Sequence, residues 1–221
     1  MNIKTNIPRA EYPRPDFERK DWLNLNGNWG FDFDDDNIGE GQGWFKGKDF
    51  SKTEIKRSVF KNGSFQNCSF ESAEFVDVIF QSCDFSNSKF TGAYFERCRF
   101  EACKCMGIDM SNTVIKQVAF EQSNFQYSNF NKTKMTDVLF DHIDFSEASM
   151  SEAKLTRFGA VDSRFVKNNF FKTMLATVDF SNSEFAAPSV SALPVELKGV
   201  VINSFQAADL ISLWGVVVRQ Q

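Results

Sequence analysis

A five-residue period of hydrophobic positions runs through the middle of the chain. Stepping by five from Phe50 to Phe185 gives 28 centres, of which 19 are Phe and most of the others are Ile, Leu or Met. The residue two places before each centre is usually small or β-branched, as at Ala73 and Val78. The other three positions of each block are predominantly polar. Two side chains in every five are therefore candidates for a continuous interior.

A period of five fits neither an α-helix nor a straight β-strand. A step of five rotates by about 140° on a helix, and an odd step reaches the opposite face of a strand. The chain must therefore turn a corner in every block, which lets the centre and the small residue both point inward. Stacked coils about 4.8 Å apart then bury a column of aromatic rings, as in other solenoids. The predicted core stack consists of Phe65, Phe70, Phe75, Phe80, Phe85, Phe90, Phe95, Phe100, Phe120, Phe125, Phe130, Phe140 and Phe145.

The repeated Phe centres with small residues two places earlier resemble the pentapeptide-repeat family, from about Phe50 to Phe185. In that family four blocks form one square coil, so the resemblance implies an all-β fold, a right-handed parallel (quadrilateral) β-helix. Its 28 blocks would make seven coils and a rod about 34 Å long. We expect an N-terminal β-rich segment or cap at 1–49, the β-helix at 50–187 and a C-terminal module at 188–221.

One block inverts the pattern, with Phe158 at the small position and Ala160 at the centre. The exchange roughly conserves side-chain volume. We therefore predict a local repacking of the interior. The alternative is a distorted corner that presents a binding feature.

The C-terminal module is predicted to contain a short helix. Asn203 or Ser204 can cap its start, and Gly215 suits its end after Leu213 or Trp214. Valine-rich segments at 200–202 and 216–218 predict short strands on either side. The helix is too apolar to be fully solvated, so it is expected to cover the last coil. It also carries a candidate dimer interface of Phe205, Leu210, Ile211 and Trp214.

This module resembles the C-terminal end of the Qnr and MfpA group of the family. The resemblance rests on Leu197, Gly199, Val201, Gln206, Ala207 and Leu210, followed by Gly215. Proteins of that group bind DNA gyrase and topoisomerase IV, protect them from quinolones and dimerise through this end. Gram-negative Qnr proteins have loops that interrupt the repeat, whereas this register is unbroken, so the loop-less members are the closer comparison. The resemblance implies a homodimer whose partner is DNA gyrase or topoisomerase IV.

The N-terminal segment has a different pattern. Residues 21–31 alternate apolar with polar side chains, and together with 43–50 they resemble the start of the sugar-binding domain of glycoside hydrolase family 2. The resemblance covers none of the catalytic barrel. We expect residues 1–49 to cap the first coil or to be a remnant of gene fusion, and carbohydrate binding is a third functional hypothesis. Four acids at 32–36 suggest a cation site, but a solvated turn is the commoner explanation.

Residues that could support catalysis are scarce. The chain has one histidine, His142, at an outward position, and no second histidine to complete a metal site or proton relay. No glycine-rich phosphate loop is present, and a serine triad would need a pocket that a packed solenoid lacks. We therefore predict a non-enzymatic protein with no catalytic residue, metal or cofactor. The five cysteines occupy inward positions as small apolar fillers, and their odd number suits a reducing compartment: Cys68, Cys83, Cys98, Cys103 and Cys105.

Charge and hydropathy narrow the class of partner. The net charge of −4 and pI near 5.2 argue against direct nucleic-acid binding through a general basic field. No apolar run approaches the roughly 20 residues of a membrane helix, and the first residues lack the apolar core of a signal peptide. We expect a cytoplasmic protein without membrane contact.

An acidic face is the strongest functional candidate. Glu101, Glu121 and Asp141 each follow a centre and lie twenty residues apart, and Asp162 and Asp179 belong to the same side. Carboxylates about 4.8 Å apart would approximate the ~3.4 Å phosphate spacing along one DNA strand. The face thus suggests a DNA mimic that binds a topoisomerase. The alternative is an ordinary polar face on a generic pentapeptide-repeat scaffold for protein–protein interaction.

Overall fold

The computed structural model describes residues 46–217, which wind into a parallel β-helix of about seven coils with one short C-terminal helix. In the regular coils a residue pairs with the residue twenty positions later, as Glu54 does with Glu74. The eight-residue strands bend at a corner and cover two adjacent sides of the β-helix, and isolated parallel bridges contribute to the other sides. The strands are β1 (Glu54–Lys61), β2 (Glu74–Gln81), β3 (Tyr94–Glu96), β4 (Arg99–Glu101), β5 (Val114–Glu121), β6 (Lys134–Asp141), β7 (Lys154–Val161), β8 (Arg164–Val166) and β9 (Glu184–Ala186).

The interior is a stack of aromatic rings, as predicted. All thirteen residues of the predicted core stack are buried. Rings twenty residues apart stack face to face in several of the first coils; the centroids of Phe75 and Phe95 are 4.7 Å apart, with ring planes inclined by 5°. The rings of Phe120 and Phe140 meet at 73° instead. The small inward residues, such as Val78 and Ala93, fill the space between the ring columns and are also buried. The alternation of large and small side chains therefore determines the square cross-section.

The corners explain why the outward positions are polar. The residue two places after a centre adopts positive φ, for example 60° at Lys52 and 58° at Asp77. This is the conformation of the third residue of a type II turn, in which Asn and Gly are favoured. An Asp or Asn just before the centre stabilises many corners, since Asp84 Oδ1 accepts from the amide of Ser86 at 2.9 Å. Short polar side chains thus form the corners while Phe forms the core.

The backbone ladder is interrupted after the inverted block. β7 is the last strand of the main sheet, and β8 and β9 form a separate two-stranded sheet. Within the described chain, no backbone hydrogen bond joins residues 154–162 to residues 173–182. The amides of Leu175 and Phe180 donate to carbonyls of the following segment, those of Glu196 and Val201, as the amides of centres do in the regular coils. The predicted local repacking is present, and it separates two coils along the two sides that β7 spans.

The C-terminal end closes the β-helix with side-chain hydrogen bonds. A 3-10 helix (Val195–Leu197) precedes α1 (Ser204–Leu210), and a second 3-10 helix (Ile211–Trp214) ends at Gly215 with φ 74°. Asn203 caps α1 through a capping box with Gln206, as the sequence indicated for its start. The α-helix is shorter than expected because its last turn tightens to 3-10 geometry. Strands predicted at 200–202 and 216–217 are absent from the described chain, except for one bridge at Val201.

Residues 1–45 and 218–221 lie outside the described chain. The predictions of an N-terminal cap or fusion remnant, a sugar-binding likeness and a cation site or turn at 32–36 fall almost entirely on those residues. They stay predictions.

Candidate protein-binding surface

Three carboxylates of the predicted acidic face stack on consecutive coils. Glu101 of β4 pairs in register with Glu121 of β5, which pairs with Asp141 of β6. Their side chains are 28%, 26% and 36% exposed, respectively. The parallel register of twenty residues per coil places them in one line parallel to the axis. We call these three residues the acidic column.

The other two predicted acids do not extend this column. The position after Asp141 is taken by Val161, which pairs with it in register. Asp162 lies at the neighbouring corner and has φ 43°, while Asp179 precedes a centre and bridges to Val201. The predicted face therefore consists of a line of three carboxylates, with two further acids beside it.

Cations accompany both ends of the acidic column. Arg99 contacts Glu101 at 2.9 Å and Glu121 at 3.8 Å. His142 Nδ1 lies 2.6 Å from Asp141 Oδ1, and this hydrogen bond raises the pKa of the imidazole. Exposed ion pairs of this kind contribute little to stability. The acidic column is thus partly neutralised but remains accessible to a partner.

A second outward column shows the opposite arrangement. Asp77 and Arg97 on consecutive coils form a two-bonded ion pair, with distances of 2.6 and 3.1 Å. Asp137 and Arg157 repeat the pair further along, and the guanidinium holds the pKa of each aspartate below its usual range. Charges that alternate from coil to coil satisfy each other, which the carboxylates of the acidic column cannot do.

The C-terminal end exposes apolar side chains. Phe205 is 86% exposed, Trp214 54% and Ile211 40%, as a free interface would require. Leu210 differs, because it is 3% exposed and packs in the core beneath α1. Its assignment to the candidate dimer interface is wrong in this respect: the residue belongs to the cap. Phe205, Ile211 and Trp214 remain the exposed candidates.

The cysteines lie in the interior, as the pattern indicated. All five are buried, and burial raises the pKa of Cys98 to about 11. Across residues 46–217 no cluster of three or more His, Cys, Asp or Glu side chains is arranged to hold a metal ion. No helix in the described part of the chain is long and apolar enough to cross a membrane.

Two family models match the repeat. One describes a pentapeptide repeat region and matches residues 73–141, and the other describes nine copies of pentapeptide repeats and matches residues 45–89. Together the two matches cover residues 45–141, and the repeat in that part of the chain is a pentapeptide repeat. No curated protein matches it significantly.

Solved structures of other pentapeptide-repeat proteins share the fold. A trypsin-treated variant of QnrB1, a plasmid-mediated fluoroquinolone resistance protein, is 18% identical, with a TM-score of 0.43, 79% of this chain covered and 96% of that chain. HetL, involved in heterocyst differentiation regulation in Nostoc sp. strain PCC 7120, is 11% identical, with a TM-score of 0.26, 76% of this chain covered and 94% of that chain. These similarities concern the fold alone.

Sequence reasoning missed one buried acidic residue, Glu196. The residue is fully buried, and its Oε1 accepts from the amide of Lys172 at 2.8 Å and from the hydroxyl of Ser191 at 2.5 Å. Burial alone would raise its pKa, but these hydrogen bonds outweigh it and the pKa is lowered. The sequence contains one indication of this role: Glu196 is an isolated acid that closely follows Pro188 and Pro194, where the repeat ends.

Proposed function

We propose that this protein is a DNA mimic that binds DNA gyrase or topoisomerase IV and protects the enzyme from quinolones without catalysing a reaction. The observation that carries the proposal is the acidic column on the outside of a rod-shaped β-helix. The C-terminal residues that resemble the Qnr and MfpA group support the same partner.

The geometry of the acidic column suits this role. Carboxylates on consecutive coils lie about 4.8 Å apart, compared with ~3.4 Å between phosphates along a DNA strand. Like charges at this spacing repel, although water and salt weaken the repulsion. A basic DNA-binding groove on the partner would neutralise them, which makes the column a favourable ligand for such a groove.

The second part of the proposal is a homodimer formed through the C-terminal end. Phe205 and Trp214 expose large apolar surfaces next to the cap, and such patches commonly mark interfaces. Light scattering should then give about twice the chain mass of 25.2 kDa. Phe205→Arg should yield a monomer, whereas a monomeric wild-type protein would refute this part.

The decisive experiment is a supercoiling assay with purified gyrase and a fluoroquinolone. We expect the wild-type protein to restore supercoiling, and the variant Glu101→Lys/Glu121→Lys/Asp141→Lys to lose most of that effect. The matched control is Glu71→Lys/Glu147→Lys/Glu152→Lys, which makes the same change in charge at exposed acids outside the column. No protection by the wild-type protein over a wide concentration range would refute the proposal.

The second candidate function is a generic scaffold for another protein partner. The partial neutralisation of the column by Arg99 favours it, because a phosphate mimic would gain from unpaired charge. Pull-down from a bacterial lysate separates the two functions. Recovery of partners without gyrase or topoisomerase IV subunits would support the scaffold.

A further inference from the structure

β7 is an edge strand inside a β-helix. Its neighbour on one side is β6, with which it pairs along its whole length. On the other side, residues 174–181 of the next coil follow in sequence register but form neither a strand nor backbone hydrogen bonds with β7 within the described chain. Unpaired edges are templates for pairing with another chain. Residues 154–161 therefore offer backbone donors and acceptors that the other coils use internally.

The cause of the opening is the inverted block. The Phe158 ring occupies the small position and lies 5.0 Å from the Phe140 ring. Ala160 leaves the centre without a ring, and Phe180 packs instead on Phe165 at 4.9 Å and on Phe185 at 4.4 Å. The column of rings that runs through Phe60, Phe80, Phe100, Phe120 and Phe140 is therefore interrupted at Ala160.

The opening exposes part of the interior. Phe158 is 9% and Ala160 7% exposed, whereas Val138 and Phe140, the equivalent residues of β6, are 2% and 0% exposed. Leu155 is half-buried, unlike the other centres from Ile55 to Phe185. Two large apolar side chains lie at the rim, with Val161 40% and Met174 50% exposed. We call the surface formed by Leu155, Phe158, Val161 and Met174 the β7 groove.

Lysine side chains lie beside the first half of the β7 groove. Lys134 and Lys154 pair directly across β6 and β7, which places like charges opposite each other at a cost. Lys172 lies on the next coil, over the ring of Phe171. None of these lysines forms an ion pair within residues 46–217. Glu152 lies among these lysines, whereas Asp141, Asp162 and Asp179 lie near the second half of β7, so the positive charge is confined to its first half.

We propose that the β7 groove binds an extended acidic segment of a partner protein, which adds a strand to the free edge of β7. Main-chain hydrogen bonds would supply affinity, and alternate side chains of the segment would enter the apolar groove. Its acidic side chains would neutralise Lys134, Lys154 and Lys172. A nucleic acid could use the lysines but not the backbone edge or the apolar side chains. This site adjoins the acidic column at Val161, which pairs in register with Asp141, but the proposal does not depend on topoisomerase binding.

The experiment uses the full chain and a fluorescein-labelled peptide of alternating Glu and Val, read by fluorescence anisotropy. Controls are the same peptide with N-methylated alternate amides, a Lys/Val peptide and a single-stranded oligonucleotide. The variant Phe158→Val/Ala160→Phe restores the inward pattern of β6 and should close the groove. We expect it, and the N-methylated peptide, to weaken binding by about tenfold or more.

A second variant tests the charges without touching the interior. Lys154→Glu/Lys172→Glu should weaken peptide binding by about tenfold, whereas Lys89→Glu/Lys104→Glu, with the same change in charge elsewhere, should not. Amide hydrogen exchange of residues 155–161 should be fast in the free protein and slow with peptide bound. The proposal is overturned if the peptide does not bind the wild-type chain, if N-methylation has no effect, or if the oligonucleotide binds and the peptide does not.

Discussion

β6 and β7 are neighbouring strands with opposite interiors. In β6 the inward pair is Val138 and Phe140, and the strand has hydrogen-bonded neighbours on both sides. In β7 the pair is Phe158 and Ala160, and the next coil is not bonded to it in the described structure. The side chains of the two pairs have roughly similar total volumes, yet within residues 46–217 the backbone hydrogen bonds to the next coil are present after β6 and absent after β7. The comparison teaches that the location of each large side chain, rather than the total volume, keeps the coils together.

The largest effect is expected from removing a ring in the regular part. Phe140→Ala should lower the free energy of unfolding by about 3–5 kcal/mol, because the ring is fully buried between others and leaves a cavity. Phe158→Ala should cost clearly less, since the surrounding coils are already separated and can relax. Urea denaturation of both variants tests this. Equal losses would show that the β7 coil is as tightly packed as the β6 coil.

The next effect has the opposite sign. Phe158→Val/Ala160→Phe should raise the free energy of unfolding by roughly 1–3 kcal/mol, because several backbone hydrogen bonds, each worth about 0.5–1.5 kcal/mol, would re-form. Urea denaturation measures the gain. The single change Ala160→Phe is the control: it adds a ring without making room and should destabilise by overpacking. A destabilised double variant would mean that the inverted block is not what separates the coils.

The regular part of the fold could be predicted from the sequence because its period is local and repeated. Each Phe centre sees the same surroundings, so one pattern specifies every coil, and the thirteen core-stack residues are buried as predicted. The inverted block was visible in the sequence. Whether it would repack or separate the coils depends on contacts of Phe158 with Phe140 and of Phe165 with Phe180, which no local pattern contains. Leu210 was misassigned for the same reason: helix periodicity does not tell which apolar side chain meets the last coil.

A smaller effect concerns how the last coil is held. Residues 174–181 form no backbone hydrogen bonds with β7 in the described chain. The carboxylate of Glu196 accepts hydrogen bonds from the amides of Lys172 and Ser191, which lie on either side of this segment. Glu196→Ala should lower the free energy of unfolding by about 1–3 kcal/mol at neutral pH, because buried donors lose their acceptor. Exposed Glu147→Ala is the matched control and should have little effect.

The pH dependence follows from the lowered pKa of Glu196. Its contribution is present above the unfolded-state pKa of about 4.3 and is lost as the pH falls through the folded-state pKa. The difference between wild type and Glu196→Ala should therefore shrink at acidic pH. A difference independent of pH in thermal unfolding would contradict the role of the charged carboxylate.

The smallest expected effect is a change in the pKa of His142. It tests whether the corner formed by His142 and Asp162, which follows β6 and β7, keeps its regular geometry next to the inverted block. The amide of His142 donates to the carbonyl of Val161 at 3.0 Å, and the pKa of its imidazole is raised by the hydrogen bond to Asp141 and more weakly by Asp162 on the next coil. The raised pKa means that the charged imidazole favours folding below its unfolded-state pKa of about 6.5, and that this contribution disappears as the pH rises through the folded-state value. NMR titration should show the pKa of His142 falling in Asp141→Asn and, by less, in Asp162→Asn. Asp179→Asn is the control and should leave it unchanged. If Asp162→Asn left the pKa of His142 unchanged, the carboxylate of Asp162 would be too far from the imidazole to affect it. The altered packing of the inverted block would then extend to the corner that follows β6 and β7.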